Sequence, residues 1–301
     1  MPELPEVETV RRGVDRHLPG RRLDAVELRR ADLRWPIPVD DVRALVGRRC
    51  VSTDRRSKYL LLRFDGPGAP VALIHLGMSG RLFLDVWSEG RWHAESPAWP
   101  AVAAEPLSVA TADDDPDWQL HEHWRMRFGD RLLRYVDARR FGMLDTTTET
   151  GLAIHPLLAD LGPEPFDPAF DGAWLHARSR GRKVATKVFV MTAAVVVGVG
   201  NIYASEACFR AGVRPGRAAG RLTRRECDAL VAAIRDVLAA AIEAGGTTLR
   251  DYIGVDQGAG YFQRELFVYG RDGQPCKRCA TPIRRRVLGQ RSTFWCSNCQ
   301  R

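Results

Sequence analysis

Apolar residues recur at Val7, Val10, Val14 and Leu18, three or four positions apart, and predict an opening helix with one buried face. Beyond it the pattern is mostly that of strands. Arg22–Arg29, Lys58–Phe64, Ala72–Leu76, Arg81–Val86, Trp124–Phe128 and Arg131–Val136 are the candidates, and turn pairs such as Asp65-Gly66 and Gly129-Asp130 separate several of them. A β-sandwich is expected over residues 1–145, with Pro2 at its edge. Residues 85–120 break the rhythm. They are rich in Ala, Pro, Trp and Asp, carry the run Asp113-Asp114-Asp115, and predict a long inserted loop. A protein contact through Trp87, Trp92 and Trp99 is the functional alternative for it. Residues 146–151 are the expected linker. Helices dominate after that. In Thr223–Ala244, Ala229, Leu230, Ala233, Ile234, Leu238 and Ile242 line one side, Thr223 and Glu226 form a capping box, and Gly245-Gly246 ends the helix. The layout is that of an α+β multidomain chain: a sandwich, a helical part over 152–268, and a separate unit over 269–301.

Charge is unevenly placed. The net charge is +8, yet residues 85–120 hold eight acidic residues and one basic residue, and residues 271–301 hold eight basic and one acidic. A basic tail on a basic body suggests a polyanionic partner, bound through its phosphates. The acidic insertion should stay off such a partner. The N-terminus has no signal-peptide core, and the longest apolar run, Val188–Gly200, is too short to span a bilayer. A cytoplasmic protein without a membrane partner is expected.

Four of the seven cysteines form the pattern Cys276-x2-Cys279-x16-Cys296-x2-Cys299. Two such knuckles joined by a short hairpin suit a tetrahedral four-sulfur zinc site. With every position taken by sulfur, one structural Zn2+ is expected rather than a catalytic one. Two disulfides are the alternative, disfavoured in a cytoplasmic chain. Pro282–Leu288 and Ser292–Trp295 read as its strands around Gly289-Gln290, and Arg284, Arg285, Arg286 and Arg291 project the hairpin's charge. Cys50, Cys208 and Cys227 are isolated and expected to be packed, inert thiols.

The first residues, Met1-Pro2-Glu3-Leu4-Pro5-Glu6, carry possible chemistry. Removal of Met1 would leave Pro2 as a free secondary amine. An α-amino group titrates near roughly 8, so a neutral nucleophilic fraction exists at neutral pH. Such an amine can form an iminium adduct with an electrophilic carbon, with Glu3 as proton-transfer partner. The same residues also suit a helix start, and the two readings are compatible. The segment Val197–Glu206 places Gly198 and Gly200 before a helix, whose exposed amides suit a phosphate. It lacks the strand–helix unit of a dinucleotide site.

Several segments now coincide in order: Pro2–Thr9, Lys58-Tyr59-Leu60, His75-Leu76-Gly77-Met78-Ser79-Gly80, Arg139-Arg140-Phe141-Gly142, Val197–Glu206, Gly260-Tyr261-Phe262 and the four cysteines. The chain resembles the bacterial formamidopyrimidine-DNA glycosylases, also called 8-oxoguanine DNA glycosylases, over its length apart from the acidic insertion. The resemblance implies an N-terminal catalytic β-sandwich, a helix–two-turns–helix domain, a zinc-finger β-hairpin, and DNA lying between the domains. It implies a monomer acting on duplex DNA that contains oxidised purines or abasic sites, associated with the nucleoid. Pro2 would attack C1′ of a flipped nucleotide, Glu3 would assist at the sugar, and β- and δ-eliminations would follow without a redox cofactor. Lys58 matches a phosphate-contacting lysine, and Asn201 and Arg291 match phosphate-binding positions. Met78, Arg139 and Phe141 match the residues that fill the gap left by the flipped nucleotide, with the arginine on the orphaned cytosine. Glu6 would lie near the lesion pocket. Thr247–Phe262, with Tyr261, would form the loop closing over the base.

The chain departs from the family pattern at Ala138, where many relatives have proline, and at Thr192-Ala193-Ala194, where a polar stretch is usual. The long insertion is a third departure. Two other readings are an endonuclease VIII-like glycosylase for oxidised pyrimidines and a non-catalytic zinc-finger DNA-binding protein. Leu4, Met78 and the Arg139–Phe141 pair favour the purine branch. Intact Pro2, Glu3 and Lys58 favour an enzyme.

Overall fold

A computed structural model describes residues 2–89, 91–94, 118–246 and 266–301. Their contacts divide into two units. Among the described residues, Pro2 and those of Glu6–His155 belong to the first, and Glu3–Pro5, 156–246 and 266–301 belong to the second.

The first unit is a sandwich. Its helix α1 (Leu4–Asp15) buries Val7, Val10 and Val14, with Leu18 just past its end, as the spacing predicts. Then come β1 (Ala25–Leu28), the short helix α2 (Val39–Arg43), β2 (Cys50–Arg56), β3 (Tyr59–Phe64), β4 (Pro70–His75), β5 (Arg81–Ser88), β6 (Arg91–Ala94), β7 (Glu122–Phe128), β8 (Arg131–Val136) and β9 (Met143–Thr148). One antiparallel sheet has the order β1-β7-β8-β5-β6 and the other β2-β3-β4-β9. Leu60, Leu62, Phe64, Ile74 and Leu144 from the second sheet share a buried core with Leu82, Leu84, Trp124, Met126, Phe128 and Tyr135 from the first. Alternation along each strand puts these residues on one face. Trp124 and Tyr135, directly paired in register, stack at 5.1 Å.

Three strands differ from the sequence reading. β2 was not expected, because Ser52, Asp54, Arg55 and Arg56 make most of it polar. β9 occupies part of the expected linker, its Thr146-Thr147-Thr148 pairing with β4, and a 3-10 helix, Thr150–Ile154, follows. The start of the expected inserted loop is a β-hairpin of β5 and β6, in which Trp87 and Trp92 pack edge to face at 5.1 Å. Trp99 lies outside the described residues.

The second unit contains α3 (Gly172–Ser179), α4 (Thr186–Val190), α5 (Asn201–Arg210), α6 (Arg224–Glu243) and the strands β10 (Ile283–Leu288) and β11 (Arg291–Cys296). The predicted capping box closes the start of α6, with Glu226 N donating to Thr223 Oγ1 at 3.2 Å and Thr223 N to Glu226 Oε2 at 2.8 Å. The buried face runs through Cys227, Leu230, Val231, Ile234, Val237, Leu238 and Ala241, so Ala229 and Ile242 lie on its margin rather than in its seam. Glu206 of α5 is buried. It accepts from the backbone N–H groups of Phe267, Val268 and Tyr269 at 2.8–2.9 Å, which ties α5 to the segment leading into the cysteine hairpin. Among the described residues no helix is long and apolar enough to cross a membrane.

Candidate active site

The N-terminus is packed from its first described residue. Pro2 is buried, Glu3 is 3% exposed and Leu4 is fully buried. Leu4 N donates to Gly198 O at 3.2 Å, and Ile202 N donates to the Glu3 carboxylate at 3.2 Å. Ile202 lies in the first turn of α5, so the Glu3 charge sits where the helix dipole favours an anion. The two glycines of this segment make room for it. Gly198 has φ +78, and a Cβ there would lie 2.5 Å from Leu4 Cδ1. A Cβ on Gly200 would lie 2.0 Å from Glu3 Cδ. One amide of this helix start, Ile202 N, is therefore taken by Glu3 of the same chain rather than left for the expected phosphate.

Asn201, the first residue of α5, is oriented by a lysine that sequence reasoning missed. Lys187 is fully buried, and its ammonium donates to Asn201 Oδ1, to Ser292 O at 3.0 Å and to Thr293 Oγ1 at 2.9 Å. All three N–H bonds are used. The Asn201 amide is thereby fixed with its oxygen towards Lys187 and its Nδ2 donating to Tyr269 Oη at 3.3 Å. Burial brings Lys187 down to about 8, with the Arg291 charge adding to this against Cys208 and Glu3. Arg291 itself opens β11 and is exposed. The signal for Lys187 was a lone cation inside the apolar stretch Val184–Val190.

Lys58 is not the first residue of a strand. It sits with Ser57 in the two-residue turn between β2 and β3, where Arg56 pairs with Tyr59. Arg55 holds this hairpin, donating to Ser57 O at 2.8 Å and to Glu8 of α1 at 3.3 Å. His75, whose strand position pairs with Tyr59, is pushed down to about 4 by burial and by the Lys58 and Arg34 charges. Its Nδ1 accepts from Gly77 N at 3.0 Å, which suits a neutral ring. Glu6 is buried in the first turn of α1.

Met78 lies in the β4–β5 connection, and Arg139 and Phe141 lie in the β8–β9 connection. These connections are neighbours because β4 pairs with β9 and β5 pairs with β8. Met78 is half-buried, whereas Arg139 and Phe141 are exposed, the guanidinium stacking on the ring at 4.7 Å. Tyr261 and the whole of Thr247–Phe262 lie outside the described residues.

The four cysteines converge. Their Sγ atoms all lie within 4.8 Å of one another, and the closest pairs are 3.4–3.9 Å apart. Zn–S bonds of about 2.3 Å place tetrahedral sulfurs roughly 3.8 Å apart, whereas a disulfide needs about 2.05 Å. The donor set therefore fits one Zn2+ closed by four thiolates. Gly289 and Gln290, both with positive φ, turn the hairpin, and Arg284, Arg285 and Arg286 are exposed along β10. Cys50 and Cys208 are buried and raised to about 12, and burial raises Cys227 to about 11, so none is a reactive thiol.

Family models match three successive stretches: a formamidopyrimidine-DNA glycosylase N-terminal domain over residues 1–144, the H2TH domain of the same enzymes over 161–252, and a zinc finger found in FPG and IleRS over 273–301. A formamidopyrimidine-DNA glycosylase of Stenotrophomonas maltophilia is 47% identical over the full length of both chains. The chain belongs to the formamidopyrimidine-DNA glycosylase family. A relative of the same description from Xanthomonas axonopodis is 46% identical, again over both full lengths, so the stretch set apart as an insertion lies within the matched length. Among solved structures, the MutM (FPG) protein of Thermus thermophilus aligns at a TM-score of 0.80 with 34% identity, covering 99% of this chain and 98% of that one. A Lactococcus lactis FPG mutant in complex with DNA containing Fapy-dG aligns at 0.83 with 27% identity over both full chains.

Proposed function

We propose that the chain is a bifunctional DNA glycosylase and abasic-site lyase that removes oxidised purines, 8-oxoguanine and formamidopyrimidines, from duplex DNA. The observation that carries the reading is the buried Glu3 carboxylate, fixed on the first turn of α5 and covalently next to Pro2. An imino acid beside an anchored carboxylate supplies a nucleophile and a proton-transfer group in one step of chain. The names and bound lesions of the relatives support the substrate class. They include the DNA containing Fapy-dG in the L. lactis complex and DNA containing carbocyclic 8-oxo-G in a further MutM complex.

In this mechanism the lesion nucleotide leaves the base stack, because C1′ is out of reach inside the duplex. The Pro2 nitrogen lone pair attacks C1′, and the C1′–base bond breaks with its electron pair going to the base. Glu3 transfers a proton at the sugar as the ring opens, leaving an iminium between Pro2 N and C1′. The iminium acidifies C2′. Loss of that proton expels the 3′ phosphate, a second elimination expels the 5′ phosphate, and water releases the sugar fragment. Lys58, Asn201 and Arg291 hold phosphates. Asn201 suits this because Lys187 occupies its amide oxygen and Tyr269 Oη takes one N–H of Nδ2, which leaves the second N–H as a donor. Met78, Arg139 and Phe141 enter the vacated base step, and Glu6 faces the lesion pocket. Tyr261 contributes to closure over the base. The zinc holds the basic hairpin in register and takes no part in the chemistry. A repair enzyme of this kind works in the cytoplasm at the nucleoid.

Borohydride trapping on duplexes containing 8-oxoguanine opposite cytosine tests the reading. A covalent adduct is expected from wild type. It should be severely weakened by Pro2→Gly, and Glu3→Gln should retain DNA binding while losing base release. Preferential excision of thymine glycol would overturn the substrate class, and an active enzyme retaining Met1 by mass spectrometry would overturn the nucleophile.

A further inference from the structure

Asp137 stands at the junction of the two connections that carry Met78, Arg139 and Phe141, and it is fully buried. Its carboxylate accepts four hydrogen bonds. Ser79 Oγ, at 2.5 Å, and Arg139 N, at 3.2 Å, donate to Oδ1. Tyr135 Oη, at 3.0 Å, and Gly142 N, at 2.8 Å, donate to Oδ2. Its backbone is held as well, since Asp137 N donates to His121 O at 2.9 Å, Arg140 N donates to Asp137 O at 3.2 Å, and His123 Nε2 lies 2.8 Å from the same oxygen. One side chain thus binds the residue after Met78, the backbone of Arg139 and the residue after Phe141.

We propose that Asp137 is the positioning residue that sets the gap-filling side chains at one depth and angle, and through them the discrimination of the base opposite the lesion. This rests on the assignment of Met78, Arg139 and Phe141 made above. Two features make the arrangement specific to a carboxylate. First, all four groups are donors, and two of them, Arg139 N and Gly142 N, are backbone N–H groups that cannot turn round to accept. An asparagine here must set its NH2 against one of those two, whichever way the amide is flipped. Second, the space is closed. A Cβ on Gly142 would lie 1.6 Å from Tyr135 Oη, one on Gly80 would lie 2.3 Å from it, and one on Gly77 would lie 2.4 Å from the Phe141 carbonyl carbon. The two connections are therefore closely packed, Arg139 N has one further acceptor in Ser79 Oγ at 3.3 Å, and Arg140 takes φ 55 within the network. The absence of proline at Ala138 is consistent with a loop braced by hydrogen bonds rather than by ring stiffness.

The test compares Asp137→Asn, the milder Ser79→Ala, Arg139→Ala, and the double variant Asp137→Asn/Arg139→Ala, each checked for folding by near-UV circular dichroism. The readouts are single-turnover excision of 8-oxoguanine opposite cytosine and opposite adenine, and the fluorescence of 2-aminopurine beside the lesion as a report of base-step opening. Asp137→Asn is expected to slow excision opposite cytosine by about 10- to 100-fold, the scale of a charge-assisted hydrogen bond. It should shrink the cytosine-to-adenine preference and delay the fluorescence change. Ser79→Ala should shift the same quantities by a smaller factor. The double variant should keep the preference ratio of Arg139→Ala alone, because the second loss acts through the first. A folded Asp137→Asn protein with an unchanged preference, or fully additive effects, overturns the inference while an impaired Arg139→Ala keeps the gap-filling assignment. An Arg139→Ala protein with unchanged preference overturns both.

Discussion

Gly200→Ala is expected to slow base release more than strand cleavage, if Glu3 acts as proposed. A Cβ at this position would fall 2.0 Å from Glu3 Cδ and 2.2 and 2.5 Å from its two oxygens, so the carboxylate must retreat by more than about 1 Å to reach ordinary contact distance. Leu4 limits the escape, because its buried side chain and its bond to Gly198 O fix the backbone next to Glu3. The retreat therefore falls on the side chain and breaks the bond from Ile202 N. Misplacing a reacting group by about 1 Å costs on the order of 100-fold in rate. The backbone at Gly200, φ −107 and ψ −161, is open to alanine, so the fold is retained. Single-turnover excision of 8-oxoguanine should fall by about that factor. Cleavage at a preformed abasic site, where Pro2 meets an aldehyde with no base to expel, should change by less than about tenfold. Base release within about threefold of wild type would refute the claim that Glu3 acts from this position.

Removal of the metal should be as damaging as loss of a residue. One zinc per chain is expected by elemental analysis, and Cys296→Ser or chelation should release the core formed by Phe209, Ile283, Phe294 and the cysteines and weaken duplex binding more than about tenfold; full binding without zinc would contradict this. His75 makes stability depend on acid. Its pKa of about 4 lies below the ordinary 6.5, so the unfolded chain takes up a proton between these values that the native chain refuses. Its contribution is complete above pH 6.5 and declines by about 3 kcal/mol as the pH falls towards 4. Urea unfolding at pH 7.5 and 4.5 should show that loss in wild type and a smaller one in His75→Gln, and equal losses would reject it. Thr223→Ala should cost about 1 kcal/mol by removing one half of the α6 capping box, measured by urea or thermal unfolding, with no effect on excision.

What could be read from the chain follows the range of the interactions involved. The α1 face, the capping box and the zinc knuckles are local patterns, and each is where its spacing predicts. Strand β2 was missed because most of its residues are polar although its partner β3 is adjacent, and β9 because its partner is distant in sequence; Thr146–Thr148 resembles a linker until Pro70–Ala72 is placed beside it. Lys187 was invisible for a related reason. Its three acceptors come from residues 201, 292 and 293, and no local rule marks a lysine in a short apolar helix as the orienter of an asparagine. Asp137 is not marked by its sequence, because its four donors come from the β4–β5 connection, from β8 and from the β8–β9 backbone.

The segment Gly198–Asn201 gains a different meaning from its contacts than from its spelling. Glycines before a helix suggest an anion site for a ligand, and the charge of the chain made a phosphate the natural occupant. The contacts instead assign each position to another part of the same chain. Gly198 leaves room for Leu4, Gly200 leaves room for the Glu3 carboxylate, and Asn201 gives its amide oxygen to Lys187. A helix-start anion is thus the residue next to Pro2, and the phosphate contact proposed for Asn201 falls to its side-chain amide nitrogen. The motifs Pro2–Glu8 and Val197–Glu206, far apart in sequence, constrain each other: a larger residue at 198 or 200 must displace the residues beside Pro2. Their joint occurrence therefore carries more information about catalysis than either does alone.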